Sequence, residues 1–169
     1  SLRDAGAVVA GDEASPAVLA ALLELLEHNL IVADRADPAD DDPRFFMLET
    51  IREVALSMLE ESGELETTRR RHAERFRQIA GELEPELNGA RQREWLDRLE
   101  RDIHNIRAAL TWGLTDGEAE LALELATELH MFWLKRAHVA EGRSWVCRAL
   151  DAVGPANAPL RLAGLAAAC

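Results

Sequence analysis

Residues 44–53 read Arg44-Phe45-Phe46-Met47-Leu48-Glu49-Thr50-Ile51-Arg52-Glu53, and a change of period inside this stretch decides the fold. Arg44 to Leu48 is a short apolar run of strand length. From Thr50 onward the pattern becomes helical, with Ile51, Val54, Ala55, Met58 and Leu59 on one stripe. Thr50 and Glu53 have capping-box spacing, and Gly63 supplies a C-terminal stop. Upstream, Leu30-Ile31-Val32 is a second short β-branched run, separated from the first by an Asp- and Pro-rich loop that ends at Pro43. Two such runs around a polar loop predict a β-hairpin. Before the hairpin, Ser15-Pro16 opens a helix whose stripe is Leu19, Leu22, Leu23 and Leu26 and whose end falls near His28-Asn29. Leu2, Ala5, Val8 and Val9 mark an earlier helix with no cap signal in front of it.

Everything after Gly63 is helical. Leu65, His72, Ala73, Phe76, Ile79 and Leu83 fit one helix ending before Pro85, and Asn88-Gly89 is a turn. Trp95, Leu96, Leu99, Ile103, Ile106 and Leu110 fit the next helix, closed near Asp116-Gly117. A third is expected from about Glu118 to Arg136 and a fourth from about Val139 to Val153, before Gly154-Pro155. Pro159 to Cys169 begins another helix, so the natural protein is expected to continue in both directions. The expected fold class is mainly α. Residues 1–63 form a partial winged helix with a short β-hairpin and its earliest helix missing, and residues 64–169 form an antiparallel helical-repeat array.

Composition narrows the function. Hydrophobic residues make up 48% of the chain, enough for a buried core. No apolar run reaches the ~18–20 residues of a membrane span, and no basic-then-apolar leader is present. Cys147 and Cys169 are the only cysteines, which fits a reduced cytosolic chain and supplies neither a disulfide framework nor a zinc site. The net charge of -12 repels phosphates, so direct nucleic-acid binding is not expected. Lys135 is the single lysine and follows Leu134, so this segment holds no P-loop.

Two segments carry a family resemblance. Arg44 to Glu53, followed by Leu59-Glu60-Glu61-Ser62-Gly63-Glu64 and Arg71-His72-Ala73-Glu74, resembles the winged-helix region of bacterial STAND-type regulatory ATPases, the large LuxR- and AfsR-like transcriptional regulators. Trp95-Leu96-Asp97-Arg98-Leu99-Glu100 and Asp102-Ile103-His104-Asn105-Ile106-Arg107-Ala108-Ala109-Leu110 resemble the start of the helical region that follows it there. Leu129, Trp133, Gly142, Trp145, Ala149, Leu150 and Pro155 fall where a tetratricopeptide repeat places its packing residues. Two positions depart from that pattern: Ala137 replaces the usual turn glycine and His130 the usual small residue, so a looser helix contact is expected. The resemblance implies a winged-helix unit that packs on an adjoining nucleotide-binding domain of the same chain, and helices that sense a protein partner or small-molecule inducer. It also implies ATP or ADP and Mg in the parent protein, with no cofactor in this segment.

Candidate sites are few. The loop carboxylates Asp34, Asp37, Asp40, Asp41 and Asp42 suggest calcium, but a loop starting at Asp34 has Ala39 where an EF-hand needs glycine and Phe45 where it needs glutamate. Arg69, Arg70, Arg71, Arg75 and Arg77 form the densest basic cluster. They read either as a docking face or as a solvated helix face with Glu66 and Glu74 each four residues from Arg70. His28, His72, His104, His130 and His138 lack metal-ligand spacing. Ser144 and Cys147 share a helix with Glu141 and Arg148, but no base is specified, and glycine-rich phosphate loops and nucleophile elbows are absent. Trp95, Trp112, Trp133, Trp145 and Phe132 read as core before they read as a ligand groove. On the repeat reading, the concave face includes Thr127, Met131, Leu134 and Lys135.

The expected function is therefore non-enzymatic: a regulatory and protein-interaction segment of a bacterial signalling protein that controls transcription. Two other readings stay open. One is a DNA-binding winged helix with a helical dimerisation domain, and the other is a small-molecule receptor domain.

Overall fold

Short apolar runs of period two and long runs of period 3.6 fold as their periods require. The computed structural model describes residues 1–11, 15–34, 43–154 and 157–168. They are mainly helical with one two-stranded antiparallel sheet. Two compact units divide after Arg71, inside a continuous helix, Leu65–Leu83.

The first unit contains α1 (Leu2–Ala10), α2 (Pro16–Glu27), β1 (Ile31–Asp34), β2 (Arg44–Met47), α3 (Glu49–Glu61) and the first turns of α4 (Leu65–Leu83). The strands pair in the register Ile31↔Met47, Val32↔Phe46, Ala33↔Phe45 and Asp34↔Arg44. Asp37, Asp40, Asp41 and Asp42 lie outside the described residues. α1 is capped after all: Ser1 Oγ accepts from the Asp4 amide and the Asp4 carboxylate returns to the Ser1 amine, a capping box with Asp in the fourth place. The box expected at Thr50 and Glu53 is not formed. α3 already begins at Glu49, so Thr50 sits inside the first turn, and Leu48 precedes the helix without a side-chain cap. Past the end of α2 the chain turns at Asn29, whose φ of 57° is the left-handed conformation asparagine tolerates. α3 ends at Gly63 as expected, with φ 77° and the Glu64 amide donating to the Leu59 carbonyl at 3.2 Å.

The second unit holds the rest of α4, a 3₁₀ turn (Pro85–Asn88), α5 (Gln92–Arg101), α6 (Ile103–Thr115), α7 (Ala119–Glu128), α8 (His130–Lys135), α9 (Val139–Val153) and α10 (Ala158–Ala168). α7 packs on α6, α9 and α10, and α8 on α9. Leu99, Ile106, Leu123, Leu129, Phe132 and Val146 are among the most deeply buried side chains. Two helices expected to be continuous are broken. One breaks at Asp102, which is 1% exposed and stands at the start of α6, where its charge favours the helix dipole. The other breaks at Leu129 between α7 and α8, although the buried face runs through the bend from Leu125 and Ala126 to Phe132 and Trp133.

Three glycines set the closest helix crossings. A methyl at Gly113 would lie 3.0 Å from Ala122 Cβ, one at Gly164 2.8 Å from Leu123 Cδ1, and one at Gly142 2.4 Å from Trp133 Cγ. The last crossing is tight, so the departures at Ala137 and His130 do not loosen it. Ala137 instead takes the left-handed conformation itself, with φ 61°, while the His138 amide donates to the Trp133 carbonyl at 2.8 Å. A non-glycine residue there is strained by about 1 kcal/mol. Ala137→Gly is therefore expected to stabilise the protein by about 1 kcal/mol in denaturant titration, and a loss of stability would contradict the strain.

Candidate interaction surfaces

In the first unit the apolar residues outnumber the places to bury them. Alternation along the strands puts Val32 and Phe46 on one face of the hairpin, directly opposite each other in register. Both point outward, at 59% and 56% exposure, and Leu48 continues that face. α3 has no buried residue at all, with Val54 and Met58 exposed one turn apart. Leu19 and Leu23 repeat the situation on α2. Each of these helical pairs belongs to the apolar stripe that periodicity gives its helix, and that stripe is only partly covered.

The arginine cluster does not form one patch. Successive helix residues point about 100° apart. Arg69 and Arg70 are exposed, and Arg71 donates to the Val9 carbonyl at 3.3 Å, tying α4 to the end of α1. Arg75 is buried. Arg77 lies 3.7 Å from Glu124 and 3.9 Å from Glu128.

In the second unit Thr127, Met131, Leu134 and Lys135 lie along α7 and α8, the first two partly buried and the last two exposed. Thr127 Oγ1 is buried without a hydrogen-bond partner, while the Thr127 carbonyl meets His130 Nδ1 at 3.0 Å. A polar clasp joins α5 and α6 to the α8–α9 turn. Arg107 donates twice to Glu141, at 2.7 and 2.8 Å, and Trp145 Nε1 donates to the same carboxylate at 3.2 Å. The Arg107 hydrogen bonds hold the Glu141 carboxyl below the usual carboxylate range. Arg136 bonds Asp97, and His138 Nε2 lies 3.2 Å from Glu100. Glu141 is thus committed to Arg107 and does not serve Ser144 or the exposed Cys147 as a base. An open groove of about 430 Å³ between α6 and α9 is lined by Leu114, Arg148, Asp151 and Ala152, with Arg148 stacked 4.6 Å over Trp145.

Phe132, Trp133 and Trp112 are buried, and Trp95 and Trp145 pack against the same core. His72 stacks on Phe76 at 4.8 Å. Among the described residues no three histidine, cysteine or acidic side chains converge as a metal set, and no helix is long and apolar enough to cross a membrane.

Glu128 stands apart electrostatically. Burial pushes its carboxyl up to about 7, against a partial counter-pull from Arg77, with Glu124 and Glu84 adding to the rise. Its Oε1 lies 3.1 Å from where a methyl at Gly81 would stand, and its Oε2 is buried with no partner. No sequence pattern marks it, because α4 and α7 are far apart in the chain.

The chain is similar to a Mycobacterium bovis protein named "Putative HTH-type transcriptional regulator" and to proteins of the same name in two Mycobacterium tuberculosis strains, each 37% identical over 140 residues. The match covers 82% of this chain but 15% of each relative's length. No protein-family model matches the chain. No solved structure matches it either.

Proposed function

We propose that this chain is a non-catalytic regulatory segment of a multidomain transcriptional regulator of the STAND ATPase type. In this reading the helix–hairpin–helix unit is a partial winged helix that docks on an adjoining nucleotide-binding domain. The second unit is a tetratricopeptide-like array that receives a protein or small-molecule inducer, and inducer binding biases the docked state. The observations that carry the reading are the exposed apolar residues of this unit, Val32, Phe46 and Leu48 on the hairpin side and Val54 and Met58 on α3. Similarity to regulators of which the chain spans only 15% supports a segment that acts on neighbouring domains. The arrangement works as a switch only if the two states differ in affinity for the inducer. Hydrogen exchange on the full-length protein, with and without nucleotide, is expected to change protection in α2, the hairpin strands and α3. Unchanged protection there would rule out docking as the switch.

The relatives' name makes DNA binding by this unit the second reading. A helix-turn-helix reads bases with its second helix. Here that helix is α2, Pro-Ala-Val-Leu-Ala-Ala-Leu-Leu-Glu-Leu-Leu-Glu, which offers Glu24 and Glu27 and not one donor side chain. No binding of labelled duplex is expected even at low salt, and salt-sensitive binding would reverse the order of the two readings.

A further inference from the structure

Where α4 meets α7, a carboxyl lies directly over bare backbone. A methyl on Gly81 of α4 would stand 3.1 Å from Glu128 Oε1, 3.4 Å from its Cδ and 3.6 Å from its Oε2. Phe76, Ile79, Ala80 and Leu83 of α4 share the buried core with Leu125 and Ala126 of α7, which draws the two helices together. Glu128 Oε2 is buried with no hydrogen-bond partner. Arg77 lies 3.9 Å from Oε1, beyond hydrogen-bond reach, and is shared with Glu124 at 3.7 Å. Glu124 and Glu84 both oppose a negative charge at this point. Side chains of the helices around α7 are engaged elsewhere: Arg107 of α6 with Glu141, Arg148 of α9 over Trp145, Arg161 of α10 with the Leu150 and Gly154 carbonyls, and His130 of α8 with the Thr127 carbonyl.

The closed seam suits a neutral carboxyl and not a carboxylate, which finds no donor here to replace the water it gives up. α7 is held by α6, α9 and α10, so α4 is the partner that yields. We propose that this seam is a proton-operated latch: with Glu128 neutral, α4 lies closed over it at Gly81, and with Glu128 ionised the end of α4 from Gly81 to Leu83 opens to solvent while the other helices stay folded. The position of the carboxyl, pushed up to about 7, places the change near neutral pH. The opening breaks the last hydrogen bonds of α4, among them the Glu84 amide to the Ala80 carbonyl at 2.9 Å. α4 is also the helix within which the chain divides into its two compact units, so the latch sets how much of α4 the helical unit holds. It stands on this seam alone and not on the regulatory role proposed above.

Native-state hydrogen exchange followed by NMR at pH 6 and pH 8, corrected for the intrinsic exchange rate, tests the latch. The amides of residues 81–84 are expected to lose protection several-fold as pH rises. The ceiling is roughly tenfold, set by a carboxyl at 4.5 when open and about 7 when closed. That exchange is expected to change little with low denaturant, because a short opening exposes little surface, whereas the core amides of α9 follow denaturant-sensitive global unfolding. Glu128→Gln is expected to keep protection of residues 81–84 level across the range. Glu124→Gln removes a repelling charge and is expected to move the transition to lower pH, while Arg77→Gln removes the attracting one and moves it higher. If residues 81–84 share the denaturant dependence of α9, the seam opens only when the whole unit unfolds and the latch does not exist. A pH dependence that survives in Glu128→Gln would assign the change to another group and overturn the proposal.

Discussion

Gly142→Ala is expected to destabilise the helical unit by about 3 kcal/mol, its added methyl meeting the closest contact among the described glycines. The added carbon would stand 2.4 Å from Trp133 Cγ and 2.6 Å from Trp133 Cβ and Cδ1. Trp133 cannot swing aside, because its ring is 2% exposed and wedged against Phe132 at 5.1 Å between centroids. Relief therefore requires α9 to move off α8, which opens the core around Val146 and Ala149. All four tryptophans lie in the second unit, so their fluorescence during denaturant unfolding reports that unit alone. The mechanism makes a further demand. In a Trp133→Ala background Cγ and the rest of the ring are gone and only the Cβ contact stays, so Gly142→Ala should then cost clearly less than it does beside the indole. Strict additivity of the two changes would mean that the clash is not the cause.

Glu128→Gln is expected to stabilise the protein above neutral pH and to leave it nearly unchanged in mild acid. The carboxyl has an ordinary value of 4.5 when unfolded and about 7 when folded, so the folded state binds the proton more tightly. Its contribution is fully present below 4.5 and is lost as pH rises toward 7. A shift of that size corresponds to about 3 kcal/mol in full. The side chain is 26% exposed and Arg77 lies 3.9 Å away, so about 2 kcal/mol is the expected gain for the variant at pH 8. The difference between variant and wild type, measured at pH 5 and pH 8, cancels the other carboxylates of this acidic chain. A difference that does not change with pH would show that Glu128 is ionised throughout.

Much of this architecture is legible in the order of residues. α4 spans Leu65–Leu83 and α9 Val139–Val153, as spacing and punctuation predict, because each is bounded by a local signal such as Gly63, Pro85 or Gly154. The breaks at Asp102 and Leu129 are not legible, since the buried face continues through both bends and periodicity reads straight across them. The hairpin was readable from composition; its exposed face was not. Alternation says that Val32 and Phe46 share a side, but not whether anything covers it. The candidate sites fared according to the range of the interactions that make them. Arg69, Arg70 and Arg71 are adjacent in sequence yet splayed around α4, whereas Arg107 and Glu141, 34 residues apart, form a bidentate pair that no local pattern announces.

The three glycine crossings also differ in how they would yield under load. At Gly142 an indole ring sits in the notch, so α8 and α9 interlock and must travel as one piece. At Gly113 the notch faces the methyl of Ala122 and the Glu118 carbonyl, and at Gly164 the branched ends of Leu123 and Leu150. Backbones approach closely there with little to catch on, which favours sliding along the axis over hinging. Load applied along the row of helices is therefore expected to part the α6–α7 and α7–α10 crossings before it parts α8 from α9.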